Sequence, residues 1–154
     1  EKTNKEADPF KVGGSDLVQR AQNAKGEDLT VAPAGSHVGK IPKKYGCAAS
    51  LSNLLIQAHQ IGTKDFSPSV DGLEKVLREK GARTVDKNHL AKGDIVIGRD
   101  ELDGSGGRHI GVVDVNAKGQ LVVLNNASGH FKEDSLDERF FKNYGKVYGL
   151  RRDQ

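Results

Sequence analysis

Methionine and tryptophan are absent from this 154-residue chain, cysteine occurs once, and aromatic residues make up 5% of it. A single cysteine cannot close an internal disulfide, so the fold has to stand on its core without staples. With no methionine, an initiator residue and any signal peptide lie outside this sequence, which leaves export open. No uninterrupted apolar run approaches the roughly 20 residues that a bilayer span requires, so a soluble protein with no membrane span is expected. Neither sign of charge dominates: 24 Lys and Arg stand against 21 Asp and Glu, for a net charge of +3. The two signs are interspersed, no basic stripe stands out, and no nucleic-acid partner is expected. Such mild basicity suits an anionic surface, a bacterial cell wall included. Metal chemistry has equally little to build on, because CxxC and HExxH are missing and the five histidines are scattered. "RDELDGSGG" has neither the full acidic alternation nor the closing Glu of a calcium loop, and "DGSGG" lacks the Gly-Lys-Ser/Thr of a phosphate cradle. It reads as a flexible hairpin, and no metal or cofactor is expected.

What is present fits one compact domain. Residues 1–14, punctuated by Pro9, Gly13 and Gly14, read as an irregular lead-in, and residues 15–154 as a single domain. Ser15 fits the N-cap of a short helix that Gly26 stops, and residues 27–46 read as loop with a little strand. Cys47, Leu51, Leu54, Leu55, Ala58 and Ile61 recur at steps of three and four, predicting an amphipathic helix over about 47–61 that ends at Gly62. A third helix follows, capped by Ser69 and stopped by Gly81. Then the period shortens to β-branched runs at 94–98, 109–115 and 120–125, the last two joined by a turn at "NAKG". One more short helix fits "DSLDERFFKNYG", and "KVYGLRR" reads as a closing strand. Helices first and an antiparallel meander afterwards predict an α+β fold.

The lone cysteine opens the second helix. A free cysteine is as often a small buried hydrophobe as a reactive group. A helix N-terminus, however, carries about half a positive charge and unsatisfied amides, which lower a thiol's pKa and can hold an oxyanion beside it. A nucleophile there needs a base, and the candidates are His37, His59, His89, His109 and His130. His59 is on the same helix, some 18 Å away at about 1.5 Å per residue, and is out of reach. His109 opens the run "HIGVVDV" directly after the glycine-rich loop, where a strand-edge side chain can project toward a helix end.

Taken in order, "YGCAASLSNLL", "LAKGDIVIG", "GRHIGVVDV" and "LVVLNNASG" resemble the NlpC-type and CHAP-type papain-like cysteine hydrolases of bacterial cell walls. The resemblance covers about residues 41–130. It lies in an aromatic-x-Cys step before small residues (Tyr45-Gly46-Cys47-Ala48-Ala49), a Gly-Asp before a strand (Gly93-Asp94), and a His-[Val/Ile]-[Gly/Ala]-[Ile/Val] run (His109 to Val112). It implies a papain-like fold with Cys47 as nucleophile, His109 as general base and a third polar residue one strand later that orients the imidazole. Matching the family's step before alanine gives Asn126 that role; a shift of one gives Asn125, and adjacent strand residues face opposite ways, so only one can serve. His37, Tyr45 and Gly46 become candidates for binding substrate. The segment "AGSHVGKIPKK" replaces the family's Tyr and "WGG"-like stretch, leaving His37 or the amide of Cys47 to help the oxyanion, and Ala48 stands where serine is usual.

The resemblance thus implies a cofactor-free cysteine peptidase or amidase, expected to be a monomer and secreted, periplasmic or cell-wall associated, cutting amide bonds of peptidoglycan through a thioester. Two alternatives stand beside it: a non-catalytic glycan- or peptide-binding module of the same fold, and a secreted toxin or phage-type amidase with the same chemistry. A binding groove would need neither the Cys nor the His.

Overall fold

The computed structural model describes residues 15–30, 46–100, 107–127 and 130–152. The expected lead-in, residues 31–45 with His37 and Tyr45, and residues 101–106 with most of the glycine-rich stretch lie outside the described residues. The architecture is α+β: helices α1 (Ser15–Asn23), α2 (Gly46–Gln57) and α3 (Val70–Glu79) precede strands β1 (Arg83–Asp86), β2 (Ile95–Arg99), β3 (Arg108–Val115), β4 (Leu121–Ala127), β5 (His130–Ser135) and β6 (Lys146–Arg151). The six strands form one sheet in the order β1-β6-β2-β3-β4-β5, with every neighbouring pair antiparallel. β2 to β5 form a meander, and β6 returns to the free edge of β2.

Local chemistry explains most boundaries. Ser69 caps α3, its Oγ accepting from the Gly72 amide at 2.9 Å, and Gly81 follows the helix at φ +103°. In the turn before β4, Asn116 Oδ1 accepts from the Lys118 and Gln120 amides while Gly119 takes φ +80°. α1 starts on Ser15 itself rather than after it. α2 ends four residues sooner than its apolar stripe predicts. His59 adopts the left-handed conformation (φ 59°), and the Gln60 amide reaches back to the Leu55 carbonyl at 2.8 Å while that of His59 reaches Ile56 at 3.0 Å. This pair of bonds is a Schellman closure with histidine in the place usually taken by glycine, so Ile61 and Gly62 belong to the next connection. The short helix expected after β5 is a single π-helical turn, Asp137–Phe141. β1 and β5 are strands that no hydrophobic alternation announces: Val85 is the one buried residue of β1, and β5 reads His-Phe-Lys-Glu-Asp-Ser.

The sheet has a core on each face. On one, Ile95, Ile97, Ile110, Val112 and Leu124 pack under Leu51, Leu54, Leu55, Leu73 and Leu77 of α2 and α3. On the other, Val96, Val113 and Val123 meet Leu136 and Phe140 of the π-helical segment. Asp94 ties the sheet together at the start of β2: its buried carboxylate accepts from the Ala91 amide and, at 2.7 Å on each oxygen, from the Arg151 guanidinium at the end of β6. Gly93 makes the turn into it at φ +97°, which gives the Gly-Asp step a structural job.

Candidate active site

Gly46 begins α2 because nothing larger fits. A Cβ there would lie 2.6 Å from Asn126 Nδ2 and 2.9 Å from Thr30 Cγ2, so the glycine lets the helix start press against β4. Gly46 is buried, and its lack of a side chain serves that close approach. Cys47, next in line, is partly buried against the helix-side core. Burial pushes its thiol above the ordinary cysteine range, while hydrogen bonds from the backbone amides of Ile110, Ala48 and Cys47 itself pull the other way without prevailing. The helix start does supply the amides that sequence reasoning expects, but desolvation outweighs them. The resting side chain is a thiol, not a thiolate.

Ile110 is the residue after His109, so the amide on the sulfur comes from the same strand end as the imidazole. His109 is in β3, opposite Gly98 of β2, and its ring packs on Phe140 with centroids 5.2 Å apart. Burial pushes the imidazole below its ordinary pKa. The hydrogen bond with Asn125 opposes that shift, Arg139 adds to it and Asp134 offsets it. Both shifts favour the uncharged forms, a thiol and a neutral imidazole.

The orienting amide belongs to Asn125, whose Oδ1 lies 2.6 Å from His109 Nε2. Asn126, favoured by matching the family's step before alanine, does not reach the histidine. Successive side chains of β4 leave opposite faces, so Asn126 turns to Gly46 on the helix side, where its Oδ1 is buried with no hydrogen-bond partner among the described residues. The tautomer of His109 follows from the surroundings of Asn125. The Asn125 Nδ2 donates to the Lys132 carbonyl at 3.2 Å and to Asp134 Oδ2 at 2.9 Å, which fixes the amide with its oxygen toward the ring. An amide oxygen only accepts, so Nε2 carries the proton and Nδ1 is left with a free lone pair. In this tautomer Nδ1 is the accepting nitrogen of the ring.

Three residues that sequence reasoning missed complete the surroundings. Asp134 holds Asn125 and is flanked by Arg139 at 3.4 Å and Lys132 at 3.7 Å. Phe140 floors the imidazole. Tyr144 lies over Gly98, where a Cβ would be 2.7 Å from its ring, and stacks at a tilt on Phe140. Burial, and then the nearby charge that Cys47 would carry, push its phenol up. Only β5, hard to read for lack of apolar alternation, would have pointed to Asp134.

Of the other described histidines, His59 follows α2, His89 follows β1 and His130 opens β5, and all three are exposed. Among the described residues, no three His, Cys, Asp or Glu side chains converge as a metal site, and no helix is long and apolar enough to cross a membrane. A cleft of about 860 Å³ between α3 and β6, lined by Glu74, Arg78, Arg99, Lys146 and Tyr148 among others, holds neither Cys47 nor His109. Its Arg99 is already bound by Asp71, Glu74 and the Tyr148 hydroxyl. No protein-family model, curated protein or solved structure matches the chain.

Proposed function

We propose that this chain is a papain-like cysteine hydrolase of the NlpC or CHAP kind, acting outside the cytoplasm on amide or peptide bonds of bacterial peptidoglycan, with Cys47, His109 and Asn125 as its working residues. One observation carries the reading: the Asn125 amide oxygen lies 2.6 Å from His109 Nε2, which selects the tautomer with Nδ1 as acceptor, and the amide of the next residue, Ile110, hydrogen-bonds the Cys47 sulfur. Nothing about packing requires a cysteine, a histidine and an amide in that relation, whereas acyl transfer does.

In the proposed reaction the Cys47 thiol gives its proton to His109 Nδ1 as its sulfur attacks the substrate carbonyl. The oxyanion forms on the carbon now bonded to the sulfur, beside the amides of Cys47 and Ala48 at the start of α2. As the C–N bond breaks, His109 passes the proton to the leaving amine and a thioester remains. Water, deprotonated by the same imidazole, then releases the acid and restores the thiol. Starting from a neutral pair, the proton moves with the attack rather than before it. Peptidoglycan as substrate rests on the resemblance of the sequence motifs and on the mild basicity of the chain.

Mass spectrometry of purified peptidoglycan after incubation with the wild type and with Cys47→Ala tests this. The wild type releases fragments cut at one kind of amide bond, and Cys47→Ala releases none while keeping its fold, since Ala suits a helix start. A wild type that releases nothing from any wall type overturns the hydrolase reading and favours the non-catalytic binding module.

A further inference from the structure

His109 is oriented by Asn125, but an asparagine amide can face either way, and its two orientations are opposite instructions to a histidine. With oxygen toward the ring, Nε2 must hold the proton; with nitrogen toward the ring, Nε2 must accept and the proton moves to Nδ1. Something beyond Asn125 has to choose. The Lys132 carbonyl, at 3.2 Å, is the longer of the two acceptors on Nδ2, and the Asp134 carboxylate, at 2.9 Å, is the shorter and the charged one. Charge-assisted bonds of that kind are about twice as strong as neutral ones. Asp134 is itself held by Arg139 and Lys132 at 3.4 and 3.7 Å and projects from β5, the strand paired with β4.

We propose that Asp134 is a positioning residue of this site: by accepting from Asn125 Nδ2 it keeps the amide oxygen on His109 and fixes the Nε2–H tautomer that leaves Nδ1 free. That Nδ1 acts as a base rests on the hydrolase reading above; the tautomer does not. Substituting Asp134 removes the acceptor that tells the two ends of the amide apart. Asp134→Ala leaves only the Lys132 carbonyl to bias it, and Asp134→Asn, nearly the same shape, offers both a donor and an acceptor, so either orientation of Asn125 finds a partner.

The test is long-range proton–nitrogen NMR of the ¹⁵N-labelled full chain near pH 8, well above the ordinary histidine value of about 6.5, with the His109 signals assigned by their loss in His109→Gln. The wild type shows the Nε2–H pattern alone. In both Asp134 variants the Nδ1–H form rises to about a tenth of the population or more, the consequence of losing one charge-assisted bond. On a substrate, kcat falls about 10- to 100-fold with KM little changed, as when a group behind a working histidine is removed. If both variants keep the Nε2–H form alone, or if the wild type already shows Nδ1–H, Asp134 does not position the site. Should the Ala variant fail to fold, the Asn variant decides. A wild type inactive on every wall, with tautomers that switch as described, refutes the hydrolase reading and leaves the positioning role standing.

Discussion

The two faces of the sheet are built differently. The helix side is thick and apolar, with Leu51, Leu54, Leu55, Leu73 and Leu77 stacked on the isoleucines of β2 and β3. Among the described residues the opposite side has the smaller cover, Leu90, Leu136, Phe140 and Tyr144 over the valines of the sheet. On that side the alternation of β3 runs Val113, Gly111, His109, and that of β4 runs Val123, Asn125, so the polar pair stands in line with the apolar residues, with Phe140 against the imidazole. Even here the packing is close: a Cβ on Gly111 would come within 2.5 Å of Val123 Cγ2 and 3.0 Å of the Asn125 Cβ. The thiol belongs to the helix side and the imidazole and its amide to the other face, and β3 links them: the Ile110 amide hydrogen-bonds the Cys47 sulfur, and the residue before it is His109. A robust core carries one partner, and a layer of few side chains carries the other two.

This contrast breaks most readily at Phe140, which is fully buried and touches both His109 and Tyr144. Phe140→Ala costs about 3–5 kcal/mol, while Leu54→Ala on the thick side costs about 2–5 kcal/mol. Urea unfolding measures both. The two part in their second effect: Phe140→Ala also frees the imidazole and lowers turnover per folded molecule, whereas Leu54→Ala leaves that turnover near wild type. Equal losses of turnover would mean that the faces do not divide the work in this way.

A smaller effect sharpens the contrast within two consecutive residues. Asn125→Ala removes the orienter from the thin face and slows turnover about 10- to 1,000-fold. Asn126→Ala, one residue on and on the helix side, removes a buried amide oxygen that has no partner among the described residues. Its loss changes stability by about 1 kcal/mol or less, because no hydrogen bond of that oxygen is given up, and turnover stays near wild type. Steady-state kinetics on wall fragments, with denaturant melts as control, separates the two. The reverse ranking would return the orienting role to Asn126.

The same contrast explains what the sequence made legible. The helix side was readable because its apolar residues repeat at helical spacing: Cys47 to Leu55 announced α2, and Ser69 with Gly81 bounded α3. The β-branched runs of β2, β3 and β4 announced the meander, and Cys47 and His109 stood out within those elements. On the thin side the signals were weak. β5 alternates between a buried Phe131 and polar neighbours, so neither the strand nor its Asp134 was visible. The choice between Asn125 and Asn126 depends on a register of one residue, which periodicity alone does not set. Thiol ionisation was misread for a different reason. Helix polarity is visible in sequence, whereas the burial that outweighs it arises only when α2 packs on the sheet.

The smallest expected effect is a shift in pH rather than a loss, and it probes the junction of the two faces directly. Burial raises the Cys47 thiol and lowers the His109 imidazole, so each is neutral in the fold across a wider pH range than in the unfolded chain. For Cys47, whose folded pKa is the higher one, stability is fully present below the unfolded value of about 8.5 and is lost as pH rises from there toward the folded value. For His109, whose folded pKa is the lower one, stability is present above the unfolded value of about 6.5 and is lost as pH falls from there toward the folded value. Together they favour the fold most between those two limits. Alkylation by iodoacetamide, followed by intact mass under native conditions, reads the thiol alone: its rate rises with a midpoint above about 8.5, and the protein reacts slowly near pH 6. Because the imidazole is uncharged when the thiol titrates, His109→Ala moves that midpoint little. A midpoint well below 8.5 that His109→Ala carries upward would instead reveal a thiolate–imidazolium pair, and burial at the start of α2 would not be what governs the sulfur.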